Sequence, residues 1–318
     1  MGKKIIVIGG VGGGANAATK ARRVDEGAEI IIYEKSPYVS FANCGLPYHI
    51  GGEIKQRDDL FLVSVERFAN WYNVKVKIKH EVLKIDRSNK KLLIHNLDTD
   101  EQFWEDYDKL IISTGGTPYQ LPIAGVDLEN VKNLWTIQDM DQILAAMEDK
   151  SLQRVAVVGG GFIGLEMMEA FAARGYEVTL IEREEQILPA IDHEMTLMID
   201  NHLKDHNVKV MLGRTIERFE GENGKVKKVV LDNGLEVEAE LVVISAGVKP
   251  NLKLLTDAGI ELGETGAVKV DQHMQTNDPD IYAAGDIVET TNLLTGKKMR
   301  MPLAGPASKQ GRVAGSNA

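Results

Sequence analysis

Two glycine-rich turns, each at the end of an apolar strand, constrain this chain more than any other feature. The first, Gly9-Gly10-Val11-Gly12-Gly13-Gly14, follows the run Lys4–Ile8. The second, Gly159-Gly160-Gly161-Phe162-Ile163-Gly164, follows Arg154–Val158, 150 residues further on. Each turn leads into a helical pattern, over about residues 13–25 and 164–174, and then into another apolar strand, Glu29–Tyr33 or Glu177–Ile181. Nearly continuous apolar runs are what parallel strands look like when helices cover both faces of their sheet. The expected fold class is therefore α/β, with two doubly wound, Rossmann-like sheets. Short strands are expected at 74–78, 81–85, 91–94 and 109–113, and then at 208–211, 225–231, 236–238, 241–245 and 281–284, with a hairpin turning at Asp232-Asn233-Gly234. The layout that accommodates them is one nucleotide domain, residues 1–118 and 245–318, interrupted by a second, residues 119–244.

Each glycine turn has a specific chemical use. A helix N-terminus presents unpaired N–H groups and a partial positive charge, which together hold a pyrophosphate. Gly9, Gly12 and Gly14, and Gly161 in the second turn, let the backbone bend sharply and approach the phosphates. An acid at the end of the following strand accepts hydrogen bonds from ribose hydroxyls. Glu34 follows Gly9 by 25 residues, and Glu182 follows Gly159 by 23. The second turn is a full G-x-G-x-x-G with strand, helix and acid in place, whereas the first has Val11 where the middle glycine belongs. Glu182 favours NADH, because its carboxylate repels a 2′-phosphate; NADPH is the second candidate.

Bulk composition removes other functions. A length of 318 residues suits about two domains, and 43% hydrophobic with 26% charged residues is ordinary for a globular chain. The net charge of -10 argues against nucleic acid as a partner. No apolar run approaches the roughly 20 residues that span a bilayer, and a cytoplasmic location is expected. His202 and His206 sit one helical turn apart, but a solvated helix face is expected there and no metal site. Cys44 is the single cysteine, which excludes an internal disulfide and any four-cysteine cluster. It lies 30 residues after Gly14, within Ser40-Phe41-Ala42-Asn43-Cys44-Gly45-Leu46-Pro47-Tyr48.

These segments, with Ser113-Thr114-Gly115, Gly247-Val248-Lys249-Pro250-Asn251 and Tyr282-Ala283-Ala284-Gly285-Asp286, resemble the flavin-dependent pyridine nucleotide–disulfide reductases of the single-cysteine branch. That branch holds coenzyme A-disulfide reductases, persulfide and polysulfide reductases, and NADH oxidases and peroxidases. The resemblance covers essentially the whole chain. It implies FAD at the first turn, with contacts extending to Lys35, Asn43, Val82, Thr114, Gly115, Asp286 and Ala304. It implies NADH at the second, with Gly161, Phe162, Ile163, Glu166, Glu182 and Gly247; Phe162 would gate the nicotinamide and Glu166 would lie near it. By the same resemblance, Cys44 is the redox-active residue, alternating between thiolate and an oxidised form. Thiolate is the attacking species in disulfide exchange, and positive potential at a helix N-terminus favours it. The helix beginning near Pro302 would aim its N-terminus at the flavin and stabilise negative charge there.

The branch is read from Gly12. Oxidases and peroxidases of the family carry a histidine at the matching position, so glycine here points to disulfide, persulfide or polysulfide substrates. Ser40 and Asn43 would contact that substrate. Arg22 and Arg23 resemble residues that hold coenzyme A phosphates, although cations at a helix C-terminus also complement its dipole. Family members continue well over a hundred residues further into a dimerisation domain, whose partner subunit supplies tyrosines to the substrate site, and some add a rhodanese domain. With the sequence stopping at Ala318, intact FAD and NAD sites, an incomplete substrate site and weakened homodimerisation are expected. The alternatives are an NADH oxidase or peroxidase, an electron-transfer reductase, and a flavin-bound scaffold in which Cys44 is incidental.

Overall fold

A computed structural model describes residues 2–205 and 208–318. The chain forms two compact units: residues 1–41, 61–117 and 250–318 make the first, and residues 42–60 and 118–249 the second.

The first unit is built on a five-stranded parallel sheet in the order Ile281–Ala283, Lys109–Ile112, Lys4–Ile8, Glu29–Tyr33, Lys75–Lys77. One face is covered by three helices: α1 (Gly12–Val24), α3 (Val65–Tyr72) and α8 (Ala304–Asn317). α1 contributes Ala15, Ala17, Ala18 and Ala21 to that core. Small residues let α8 press against α1: a Cβ on Gly311 would stand 2.1 Å from the Gly13 carbonyl oxygen, and one on Gly315 2.2 Å from that of Ala17.

The opposite face departs from the expected helical cover. Val82, Ile85, Leu92 and Ile94, from an antiparallel three-stranded sheet (His80–Asp86, Lys91–Asn96, Glu101–Asp106), pack there against Ile6, Ile8, Ile31 and Tyr33. Alternation along these strands supplies one apolar face each, enough to bury the parallel sheet without a helix. The third strand, Glu101–Asp106, escapes sequence reading because it is largely polar.

The second unit repeats the plan. Its parallel sheet runs Lys209–Met211, Glu177–Ile181, Arg154–Val158, Leu241–Ile244, Val131–Asn133. α5 (Phe162–Ala173) lies on this sheet and buries Met167, Met168 and Phe171. An antiparallel sheet of Ile216–Glu222, Lys225–Leu231 and Glu236–Glu238 supplies Phe219, Val226, Val229 and Val237 to a core shared with Ala156, Val158, Val242 and Ile244. The expected turn at Asp232-Asn233-Gly234 is present, with Gly234 at φ +80°.

Residues 42–60 group with the second unit, whereas the sequence layout assigned them to the first. The reason is packing: α2 (Leu46–Gly51) rests on α5 and on α4 (Ile137–Ala146), and Arg57 pairs with Asp141 of α4 at 2.8 Å. α6 (His193–Asp205) carries His202 on its exposed side; His206 lies outside the described residues. Among the described residues no group of three or more metal-binding side chains converges, and no helix is long and apolar enough to cross a membrane.

Candidate active site

The two glycine turns are built alike. Gly9 (φ +92°) and Gly159 (φ +104°) adopt left-handed backbone that only glycine takes without strain. In each turn the last glycine is compulsory, since a Cβ on Gly14 or Gly164 would stand 1.8 Å from the carbonyl oxygen of Gly9 or Gly159. The helices start within the turns, α1 at Gly12 and α5 at Phe162, slightly earlier than the sequence pattern indicates. Neither helix has a capping side chain, so the first-turn N–H groups are left for an anion.

The two acids are fixed in the same way. Glu34, buried, accepts from the N–H groups of Gly10 at 2.7 Å and Ser36 at 2.8 Å. Glu182, also buried, accepts from the N–H of Gly160 and from that of Glu184 at 2.8 Å. Backbone donors thus aim both carboxylates at their turns, with lone pairs left for ribose hydroxyls.

Around the first turn, Ser113, Gly285 and α8 close in. A Cβ on Gly13 would meet the Ser113 hydroxyl at 2.5 Å, and Gly285 (φ +88°) donates to the Gln310 side chain at 2.9 Å. Asp286 is half-buried, and burial alone raises its carboxyl above the ordinary aspartate range; no hydrogen bond or ion pair from the described chain compensates it. A half-buried acid without a partner in the described chain fits a site that receives hydroxyl donors from a polar ligand, as the ribityl and pyrophosphate part of FAD supplies. Gly115 and Gly305 face open space, and Ala304, which opens α8, is exposed. Thr114 is committed to Asn251, its hydroxyl donating to the Asn251 carbonyl at 2.9 Å.

Two expected flavin contacts have other partners. Lys35 is ion-paired with Glu81 at 2.8 Å, and the Val82 side chain is buried in the core beneath the antiparallel sheet, its strand position paired with Ile94. Around the second turn, Phe162 is 59% exposed at the first position of α5, and Ile163 is half-buried beside it. Glu166 follows one turn later, its carboxyl raised by burial, an effect the Tyr48 phenol partly offsets. Gly247 (φ +101°) faces open space.

Ser40 is held in left-handed backbone (φ 50°) and buried, its N–H donating to the Gly10 carbonyl at 2.8 Å. This pins the chain four residues before Cys44 to the first glycine turn. Cys44 lies in a 3₁₀ turn, Asn43–Gly45, immediately before α2, and both Cys44 and Asn43 are exposed. A Cβ on Gly45 would stand 2.8 Å from the buried Leu60 side chain, so a larger residue there forces Leu60 to shift.

The basic pair is resolved unequally. All five N–H donors of Arg22 go to backbone carbonyls: Nε to Tyr72, Nη1 to Asp25 and Glu26, and Nη2 to Ala28 and Asn73. The expectation that Arg22 grips a phosphate is corrected on this ground, because guanidinium has no sixth donor. Arg23 is exposed and lines, with Lys20, Lys309 and Arg312, a shallow cleft of about 410 Å³ between α1 and α8. Lys309 and Arg312 were not legible as partners of Arg23, since nearly 290 residues separate them in sequence.

Similarity to known proteins agrees with this geometry. Residues 3–311 match the family described as "Pyridine nucleotide-disulphide oxidoreductase". An NAD(P)H sulfur oxidoreductase (CoA-dependent) of Pyrococcus abyssi is 37% identical over 99% of this chain and 69% of its own length. An NADH oxidase of Methanocaldococcus jannaschii is 35% identical over the same shares. The solved structure of an NAD-dependent persulfide reductase from A. fulgidus superposes with a TM-score of 0.95 at 39% identity, over 99% of this chain and 58% of that one. With these matches along nearly its whole length, the chain belongs to the pyridine nucleotide-disulphide oxidoreductases.

Proposed function

We propose that this chain is an FAD-dependent NADH oxidoreductase that reduces a coenzyme A-linked disulfide, persulfide or polysulfide through Cys44. The observation that carries the reading is Cys44 itself, exposed in a turn whose neighbour Ser40 is anchored to the first glycine turn. FAD, when bound, takes two electrons from NAD(P)H and makes them available to sulfur.

Every other step falls to the chain. Gly9–Gly14, Glu34 and Asp286 would hold FAD, and Gly159–Gly164 with Glu182 would hold NADH. The Cys44 thiolate attacks one sulfur of R–S–S–R′, forming the Cys44–S–S–R mixed disulfide and expelling R′S⁻. Two electrons then cleave the mixed disulfide to the Cys44 thiolate and RS⁻, and the released thiolates take up protons from solvent. Asn43, adjacent to Cys44 in the same turn and exposed, would contact the substrate together with Ser40. Arg23, Lys20, Lys309 and Arg312 supply the positive face for the coenzyme A phosphates. A cytoplasmic setting and a homodimeric assembly belong to the same proposal; sedimentation of the purified protein tests the latter.

The deciding experiment is NADH oxidation with coenzyme A disulfide, coenzyme A persulfide, polysulfide, peroxide and oxygen, each compared with Cys44→Ser. Cys44→Ser is expected to abolish sulfur turnover, retain FAD and retain NADH-to-dye transfer. Sulfur turnover that survives the substitution overturns the relay. The identity to an NADH oxidase gives a second reading, oxygen or peroxide as acceptor, and Gly12 opposes it by offering no acid–base side chain.

A further inference from the structure

The apolar side chains that stand furthest into solvent belong to neither glycine turn. Leu293 is 96% exposed and Leu294 97%, more than any other large hydrophobic among the described residues. They occupy the tip of an antiparallel hairpin in the first unit, Glu289–Thr291 paired with Lys298–Arg300. Hydrogen bonds fix that tip. The Asn292 side-chain oxygen accepts from the N–H groups of Leu294 at 2.9 Å and Thr295 at 3.1 Å. The Asn292 N–H donates to the Lys297 carbonyl at 2.9 Å, and the Gly296 N–H to the Asn292 carbonyl at 2.8 Å. Gly296, at φ +70°, supplies the left-handed residue that closes the turn. An Asx turn of this kind holds the backbone and leaves both leucine side chains in water.

Charge around the tip is of one sign. Residues 290–318 hold the cations Lys297, Lys298, Arg300, Lys309 and Arg312 and no acid, in a chain whose net charge is -10. Lys298 Nζ donates to the Thr291 hydroxyl at 3.0 Å, and among the described residues no carboxylate pairs with Lys297, Lys298 or Arg300. The nearest acid in sequence, Glu289, is buried at the hairpin base, where it accepts from the Thr265 N–H at 2.7 Å. We propose that this hairpin docks on an anionic lipid surface, its two leucines entering the apolar edge while Lys297, Lys298 and Arg300 meet the headgroups. A protruding tip suits lipid, which closes around a convex apolar side chain, whereas a folded partner must supply a matching pocket. Cations beside an anionic leaflet add attraction that salt screens. The same leaflet repels the rest of an acidic chain, so contact is confined to the tip and reversible. Such docking touches one face of a bilayer, needs no spanning segment, and is independent of the reaction at Cys44.

The test floats FAD-loaded protein with vesicles of phosphatidylcholine, alone or mixed with an equal part of phosphatidylglycerol, at low and high salt. The unaltered protein is expected to bind the mixed vesicles about tenfold more tightly than the neutral ones, and to lose that preference at high salt. Leu293→Ser and Leu294→Ser together should weaken binding to the mixed vesicles about tenfold or more, with NADH-to-dye transfer and melting temperature unchanged. Replacing Lys297, Lys298 and Arg300 by Gln should remove the preference for phosphatidylglycerol. In Leu294→Trp the added indole emission is expected to shift to the blue and to be quenched by brominated acyl chains, which reports insertion directly. Docking is refuted if the unaltered protein binds neither vesicle, or if the double serine variant binds as the unaltered protein does, as it would through the Arg23 cleft. It is also refuted if the unaltered protein self-associates in sedimentation and the serine variant does not, because the leucines then cover a second copy.

Discussion

Replacing Arg22 by alanine separates a structural arginine from a phosphate ligand. Its guanidinium ties the end of α1 to the end of α3 through carbonyls of Asp25, Glu26, Ala28, Tyr72 and Asn73. Three of the five bonds are partly buried, to Tyr72 at 3.0 Å, Asp25 at 3.1 Å and Ala28 at 2.7 Å. Each contributes about 1 kcal/mol net, and the two exposed bonds little, giving a loss of about 2–4 kcal/mol. Arg22→Lys cannot reach two loops with one ammonium and should recover less than half of it. Guanidinium chloride titration of the FAD-free protein, followed by tryptophan fluorescence, measures the loss. Arg23→Ala is the control: its stability should stay within about 0.5 kcal/mol, while KM for a coenzyme A-linked substrate rises. If Arg22→Ala were as stable as the unaltered protein and raised KM for that substrate alone, the structural assignment would be refuted.

Four further outcomes are expected. Gly12→His should fold normally, because a Cβ there meets only Ala307 at 3.7 Å, and should gain peroxide turnover in a coupled NADH assay; Gly14→Ala, with its Cβ 1.8 Å from the Gly9 oxygen, should lose FAD on gel filtration. Glu182→Ala should raise the NADPH-to-NADH ratio of kcat/KM at least tenfold, about 1.4 kcal/mol of lost discrimination; an unchanged ratio places the preference elsewhere. Asp286→Asn should stabilise the FAD-free protein at neutral pH and weaken FAD binding. A carboxyl raised by burial binds its proton more tightly in the folded state, so it costs stability once ionised, and the gain from Asn should shrink as pH falls toward the ordinary aspartate range. Thermal melts of both proteins across pH check the sign.

Local chemistry made much of this molecule legible. Gly9 and Gly159 need positive φ whatever surrounds them, and four strands, Lys4–Ile8, Glu29–Tyr33, Arg154–Val158 and Glu177–Ile181, have the bounds their apolar runs indicate. Cys44 announced itself by its isolation and its neighbours. The features that escaped were those set by distant chain. Ile216–Glu222 and Glu101–Asp106 are polar strands that owe their pairing to neighbours.

The sequence by itself determined the two α/β nucleotide folds, because turn geometry and apolar runs act over a few residues. Tertiary structure decided the roles of the charged groups. Arg22 and Arg23 are adjacent and chemically identical, yet the carbonyls of Tyr72 and Asn73, some 50 residues away, claim one and leave the other to solvent. Likewise Arg174 meets the Ile50 carbonyl only because α2 lies on α5. A guanidinium has the same intrinsic chemistry wherever it occurs, and only the folded chain decides which of its donors remain to be used.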